Sequence, residues 1–143
     1  MIAAEYFTYT GRDDDIIPHD VTRVRVHKSV KVIPRRAFYG RRNIKEVVCD
    51  VGVETIEEEA FFGCISLRRL IMPGVKVVSD GAFCGCKALR YVECGELEII
   101  GRSAFGGCKS LRSIDLPSAQ IVKLFAFDWC EALANTKHSI AAY

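Results

Sequence analysis

Hydrophobic residues in this chain recur on a scale longer than any single helix or strand. An Ala-Phe pair appears at Ala37-Phe38, Ala60-Phe61, Ala82-Phe83, Ala104-Phe105 and Ala126-Phe127, at intervals of 23, 22, 22 and 22 residues. Such regularity marks a stack of structural repeats. With each alanine as position 0, position −7 holds Val30, Val53, Val75, Leu97 and Ala119, and position −4 holds Ile33, Ile56, Val78, Ile100 and Val122. Position +4 holds Arg41, then Cys64, Cys86, Cys108 and Cys130, while +7 holds Ile44, Leu67, Leu89, Leu111 and Leu133. Val47, Leu70, Val92 and Ile114 stand at +10, and Cys49, Met72, Cys94 and Leu116 at +12. Counting backwards places Val21, Val24 and Val26 at +7, +10 and +12, so a leading strand precedes the first full repeat.

Positions +10 and +12, separated by one variable residue, carry the alternation of a short strand with one face inward. The segment from −3 to +7, with apolar positions at 0, +1, +4 and +7, predicts a helical return turn. One repeat cannot bury these groups alone, so neighbouring coils must close the core. The fold expected is an α/β solenoid, coiled right-handed because parallel strands joined by a crossover take that hand. Residues 1–20 form an N-terminal lead-in or cap, and residues 21–143 form the solenoid of about five repeats plus a leading strand.

The runs Ile56-Glu-Glu-Glu-Ala-Phe-Phe-Gly-Cys-Ile-Ser-Leu67 and Ile100-Gly-Arg-Ser-Ala-Phe-Gly-Gly-Cys-Lys-Ser-Leu111 resemble the BspA-type leucine-rich repeat, over roughly Val21 to Leu133. That resemblance implies a curved solenoid with parallel strands on its concave face. It also implies recognition and adhesion, in bacteria, parasitic protists and algae, rather than one activity. The lead-in, Tyr9-Thr-Gly11 and Pro18-His-Asp-Val-Thr22, is similar to that of repeat proteins from diatoms and other protists. Two departures, Arg41 at the first cysteine position and Thr136 and His138 where strand apolars belong, read as caps, because terminal repeats face solvent.

The chemistry-bearing residues mostly follow the register. Stacked cysteines spaced by about 4.8 Å form a line rather than the converging set a zinc ion needs. Their spacing leaves disulfides open, but small, partly polar core residues are the plainer reading. Cys84, at +2, is the thiol expected to be most accessible. His19, His27 and His138 lie apart and in no catalytic motif, and the glycines recur at turns rather than in a phosphate-cradling loop. No enzyme, metal or cofactor is expected. The seven cysteines are an odd number, and Met1 to Thr10 lacks both a basic start and a sustained apolar run. Free thiols in an intracellular, reducing compartment are therefore expected. No apolar run is long enough to cross a bilayer, so no membrane insertion is expected.

Charge completes the picture. Residues 1–20 carry one arginine against five acids, a net of −4; residues 21–45 carry nine basic residues and no acid, +9; the rest carries −3. The acidic lead-in and the Glu57-Glu58-Glu59 run can neutralise the basic stretch locally, which disfavours a nucleic-acid partner. Arg35 and Arg36 should pair with Glu58 and Glu59 one coil on, and Lys31, Glu54, Lys76 and Glu98 alternate in sign down position −6. Three columns on the expected concave face remain: Thr22, Lys45, Arg68, Arg90, Arg112 at +8; Arg23, Glu46, Arg69, Tyr91, Ser113 at +9; and Arg25, Val48, Ile71, Glu93, Asp115 at +11. Arginine, tyrosine and outward aliphatics have the composition of an interface, although arginine stems could instead cover the strands and pair with Glu46, Glu93 and Asp115. The function expected is a non-enzymatic protein-interaction module. Its candidate site is Arg23, Arg25, Lys45, Val48, Arg68, Arg69, Ile71, Arg90, Tyr91 and Arg112. The alternatives are a structural or accessory subunit of a larger assembly, and a surface adhesin fragment binding matrix protein or glycan.

Overall fold

The computed structural model describes residues 5–133. Thr136 and His138, and with them the last part of the expected solenoid, lie outside the described residues. Ten short strands follow in order: β1 (Phe7–Tyr9), β2 (Arg23–Val26), β3 (Val32–Ile33), β4 (Glu46–Cys49), β5 (Thr55–Ile56), β6 (Arg69–Ile71), β7 (Val77–Val78), β8 (Tyr91–Glu93), β9 (Ile99–Ile100) and β10 (Ile121–Val122). They form two parallel five-stranded sheets, sheet I in the order β1-β2-β4-β6-β8 and sheet II in the order β10-β9-β7-β5-β3.

Sheet I reproduces the sequence columns. Val24 pairs with Val47, Val47 with Leu70, and Leu70 with Val92. Val24, Val26, Val47, Leu70 and Met72 are fully buried. Sheet II was not expected. Its strands are two residues long, too short for a period of two to register, although position −5 is β-branched throughout (Val32, Thr55, Val77, Ile99, Ile121), as extended backbone favours. Each strand points one of its residues, at −4, into the core, with Ile33, Ile56, Val78 and Ile100 fully buried.

The helical return turn is not observed; the described residues contain no α-helix. Backbone sign explains why. Position −1 is left-handed in every coil, at Arg36 (φ 57°), Glu59 (54°), Gly81 (66°), Ser103 (55°) and Phe125 (62°). Position +3 is left-handed too, at Gly40, Gly63, Gly85 and Gly107, and at Trp129 (φ 61°) in the last coil. A right-handed helix cannot run through two such positions in one segment. Instead, the amides at 0, +2 and +4 bond three residues back, as in Ala60 N to Glu57 O (3.2 Å), Phe62 N to Glu59 O (3.2 Å) and Cys64 N to Phe61 O (3.2 Å). The amides at −1, +1 and +3 bond to the next coil, as in Glu59 N to Asp80 O (3.0 Å), Phe61 N to Ala82 O (2.8 Å) and Gly63 N to Cys84 O (2.9 Å). The apolar spacing 0, +1, +4, +7 is thus real but belongs to linked turns.

Coil-to-coil bonding holds the phenylalanines in a stack. Phe38, Phe61, Phe83, Phe105 and Phe127 have successive centroid separations of 4.9, 5.1, 5.4 and 5.5 Å, and their planes lie within 11° of parallel. Tyr9 of the lead-in closes the first end edge-on to Phe38, at 5.0 Å and 67°. Each interior Phe contributes about 1.5–3 kcal/mol by burial and about 0.5–1.5 kcal/mol more by ring contact.

The cysteine column has its own task. Each thiol at +4 donates to the carbonyl of the Phe one coil back: Cys64 to Phe38 (3.2 Å), Cys86 to Phe61 (3.3 Å), Cys108 to Phe83 (3.4 Å) and Cys130 to Phe105 (3.1 Å). That carbonyl already accepts the +4 amide of its own coil, so the small Sγ–H fills its second lone pair. All seven cysteines are free thiols, and Cys84 alone among them is not buried. At the first coil no phenylalanine precedes, and Arg41 reaches the lead-in carbonyls of Ile17 (3.2 Å) and Pro18 (3.4 Å).

Two outcomes test this core. Phe83→Ala, in the middle of the stack, should destabilise by about 3–5 kcal/mol, and Phe127→Ala, half-buried at the end, by clearly less; urea denaturation compares them. Burial pushes the thiols of Cys49, Cys64 and Cys94 up to about 12 from an ordinary 9.0. A thiol whose folded value is raised leaves stability intact below pH 9 and erodes it as pH climbs toward 12. The melting temperature should therefore fall across that window, and fall less steeply in Cys49→Ala/Cys94→Ala.

Candidate interaction surface

The outward side of sheet I carries positions +9 and +11, and position +8 lies just before its strands. Strand registry places Arg23 beside Glu46, Glu46 beside Arg69, and Arg69 beside Tyr91; the neighbouring row runs Arg25, Val48, Ile71, Glu93. The sheet thus brings the +9 and +11 columns together as adjacent rows as far as β8. Lys45, Arg68 and Arg90 each immediately precede a strand, and Arg112, Ser113 and Asp115 lie beyond β8 in a coil where the strand expected at Ile114 and Leu116 is not formed.

Glu46 organises one end of this face. Its side chain is only 12% exposed, and Tyr6 donates its hydroxyl to it in a hydrogen bond. Arg69 Nη1 lies 3.1 Å from Glu46 Oε1, and Arg23 Nε lies 4.0 Å from Oε2. Around these, Arg23 and Arg25 sit over the Tyr6 ring at 6.0 and 5.1 Å, and Arg69 sits over Tyr91 at 5.7 Å. The bond to Glu46 raises the Tyr6 phenol above its ordinary value, with burial and the Glu46 charge adding to it.

Arg23, Arg25, Arg69 and Tyr91 therefore belong to one lattice of carboxylate and ring contacts. Lys45, Arg68, Arg90 and Arg112 stand apart: all four are exposed, and none makes a side-chain hydrogen bond or ion pair among the described residues. Val48 and Ile71 are half-buried rather than fully exposed, and Tyr91 remains 51% exposed. Beside β8, a cavity of about 350 Å³ is lined by Arg90, Tyr91, Glu93, Ser113 and Asp115 among others.

Tyr6 went unnoticed in the sequence for a simple reason. Phe7 pairs with Val24, an offset of 17 residues that falls outside the repeat period because the lead-in lacks the turn segment. The Tyr6-Phe-Thr-Tyr9 alternation was the available signal. The lead-in is clipped by Asp15, whose carboxylate accepts from Thr10 N at 2.7 Å and Gly11 N at 3.1 Å; these donors lower its pKa.

Elsewhere, of the two pairs the sign pattern anticipates, Arg36 pairs with Glu59 through Nε and Nη2, both at 2.9 Å from Oε1, whereas Arg35 and Glu58 form no ion pair among the described residues. The position −6 row is joined through its backbone, Glu54 N to Lys31 O and Lys76 N to Glu54 O (both 2.8 Å), with no ion pair among the described residues. Likewise, among the described residues no group of three or more His, Cys, Asp or Glu could hold a metal ion, and no helix is long and apolar enough to cross a membrane.

The sequence profile of the BspA type leucine rich repeat region matches residues 18–137 in six copies. The chain belongs to this family. Among solved structures, the BspA-type solenoid is similar to a T. pallidum leucine-rich repeat protein, TpLRR, with 28% identity and a TM-score of 0.71 over 77% of this chain and 55% of that one. It is also similar to a Bacteroides ovatus leucine-rich repeat protein, with 32% identity and a TM-score of 0.65 over 71% of this chain and 27% of that one. The chain thus spans about half the length of the first relative and about a quarter of the second. No curated protein matches it. Repeat proteins of this kind serve in general as protein-interaction modules.

The lattice makes a direct prediction. Glu46→Ala removes both the hydrogen-bond acceptor and the charge that raise Tyr6, so the Tyr6 phenol should titrate closer to the ordinary 10.0. Alkaline difference absorbance, with Tyr6→Phe identifying the signal, checks the shift.

Proposed function

We propose that this chain is a non-enzymatic module that binds a protein partner through its concave face, taken as the outward side of sheet I. The centre of the site is Arg68, Arg69, Ile71, Arg90 and Tyr91, with Arg23, Arg25, Lys45, Val48 and Arg112 around it. One observation carries this reading: Tyr91 stands half exposed beside Arg69 and the half-buried Ile71, where it fills no part of the core. Tyrosine and arginine dominate the binding energy of protein interfaces, and repeat solenoids present extended surfaces of this kind.

The leucine-rich repeat relatives support an interaction role in general. The registry of sheet I supports this particular face, because it keeps the Arg–Tyr lattice in place before a partner arrives, and preorganisation lowers the cost of binding.

The test is partner capture from native extract, read by mass spectrometry, with the wild type and with Ile71→Lys/Tyr91→Ala. Capture should be salt-sensitive in the wild type and lost in the variant, whose melting temperature should stay close to wild type because both residues lie outside the buried core. Unchanged capture overturns the site. Co-purification at fixed stoichiometry and independent of salt would point instead to a structural subunit of an assembly.

A further inference from the structure

We propose that the partner segment received by this face is an acidic α-helix lying along the solenoid axis over Lys45, Arg68, Arg90 and Arg112. The inference rests on the concave-face reading and adds the chemistry of the partner.

The starting point is the division between two rows of cations. In the +9 row, Arg23 and Arg69 share the Glu46 carboxylate, and tyrosine rings cover part of their guanidinium surface. In the +8 row, four cations on successive coils are exposed and make no side-chain hydrogen bond or ion pair among the described residues. The backbone fixes most of this row rigidly. Lys45 N bonds to Thr22 O at 2.7 Å, Arg68 N to Lys45 O at 2.9 Å, and Arg90 N to Arg68 O at 3.0 Å. Like charges on neighbouring coils oppose one another, so the row costs the fold stability and gives it no ion pair or side-chain hydrogen bond in return among the described residues. A polyanion laid along the row would relieve that repulsion.

Geometry selects the kind of polyanion. Neighbouring coils are about 4.8 Å apart, so three steps from Lys45 to Arg112 span roughly 14 Å. Three turns of an α-helix rise about 16 Å, and the flexible Lys and Arg stems can absorb the difference. Alternate residues of an extended strand lie roughly 6.7 Å apart, and three such steps overshoot at about 20 Å. Charge sign excludes a phosphate backbone as the better fit, because Glu93 and Asp115, both exposed, lie three residues beyond Arg90 and Arg112. A helix can confine its carboxylates to one stripe and turn apolar residues toward Tyr91 and Ile71; an evenly charged strand of nucleic acid cannot.

The experiment is calorimetric titration of the full chain with three probes. The first is a roughly 16-residue helical peptide with glutamates at positions 1, 5, 8 and 12 and leucines flanking that stripe. The second is the same composition scrambled, and the third is a single-stranded RNA of matched charge. The striped peptide should bind at least about tenfold more tightly than the scrambled one, and its affinity should fall as salt rises. Arg68→Gln/Arg90→Gln should weaken it by roughly fivefold to tenfold while the melting temperature at low salt holds or rises. Equal binding of both peptides, no effect of the variant, or tighter binding of RNA would each overturn the inference. Native capture separates the two readings. If Ile71→Lys/Tyr91→Ala abolishes capture and Arg68→Gln/Arg90→Gln leaves it intact, the concave site stands and the acidic-helix partner falls. If both variants capture as the wild type does, both readings fall.

Discussion

Left-handed backbone at every fourth position of the turn segment divides its amides into two sets, and the whole stack depends on that division. Amides at 0, +2 and +4 close tight turns within a coil, while those at −1, +1 and +3 bond to the coil that follows. Every backbone donor from −1 to +4 of an interior coil is thereby used, as burial requires. A continuous helix would satisfy its donors internally and leave none to tie one coil to the next. The residues that enforce the arrangement are modest: glycines at +3 in four of the five coils, and small or polar residues at −1 in the first four.

Spacing follows from that bonding, and the interior follows from the spacing. Coils joined by hydrogen bonds bring the phenylalanine rings to about 5 Å and nearly parallel, close enough for each ring to cover the next. The same approach brings each +4 thiol to the preceding phenylalanine carbonyl, where alanine would leave a lone pair without a donor. Burial and stacking supply a few kcal/mol per coil, whereas an exposed pair such as Arg36–Glu59 contributes about 0–1 kcal/mol. The core therefore determines that the coils stack, and surface charge acts on register and on what the surface can meet.

Most of this was legible in the sequence because it repeats. The Ala-Phe register located the core columns and strands β2, β4, β6 and β8 of sheet I, and it aligned the outward rows that later proved adjacent. What it could not convey was the sign of φ. An apolar pattern at 0, +1, +4, +7 fits one face of a helix, and only the glycines at +3 hint otherwise, since Arg36, Glu59 and Ser103 do not advertise a left-handed backbone. Sheet II stayed hidden because two-residue strands carry no alternation. At the candidate surface, the columns identified which residues share a face but not which of them are already engaged. Glu46 was a possible partner among several, and Tyr6 lay outside the period. The distinction between neutralised and unmatched cations needed side-chain geometry.

The inter-coil bonds of the turn segment also share a direction. From Arg36 N to Glu58 O through Gly107 N to Asp128 O, twelve amides in four boundaries donate toward the later coil, and none of these positions donates toward the earlier one. Their peptide dipoles therefore add along the stack, as those of a helix add along its axis. The first coil presents carbonyl oxygens and the last described coil presents N–H groups at Phe125, Phe127 and Trp129. Among the described residues the return side is therefore electrically polar along the stack, with acceptors directed toward the first coil and donors toward the last.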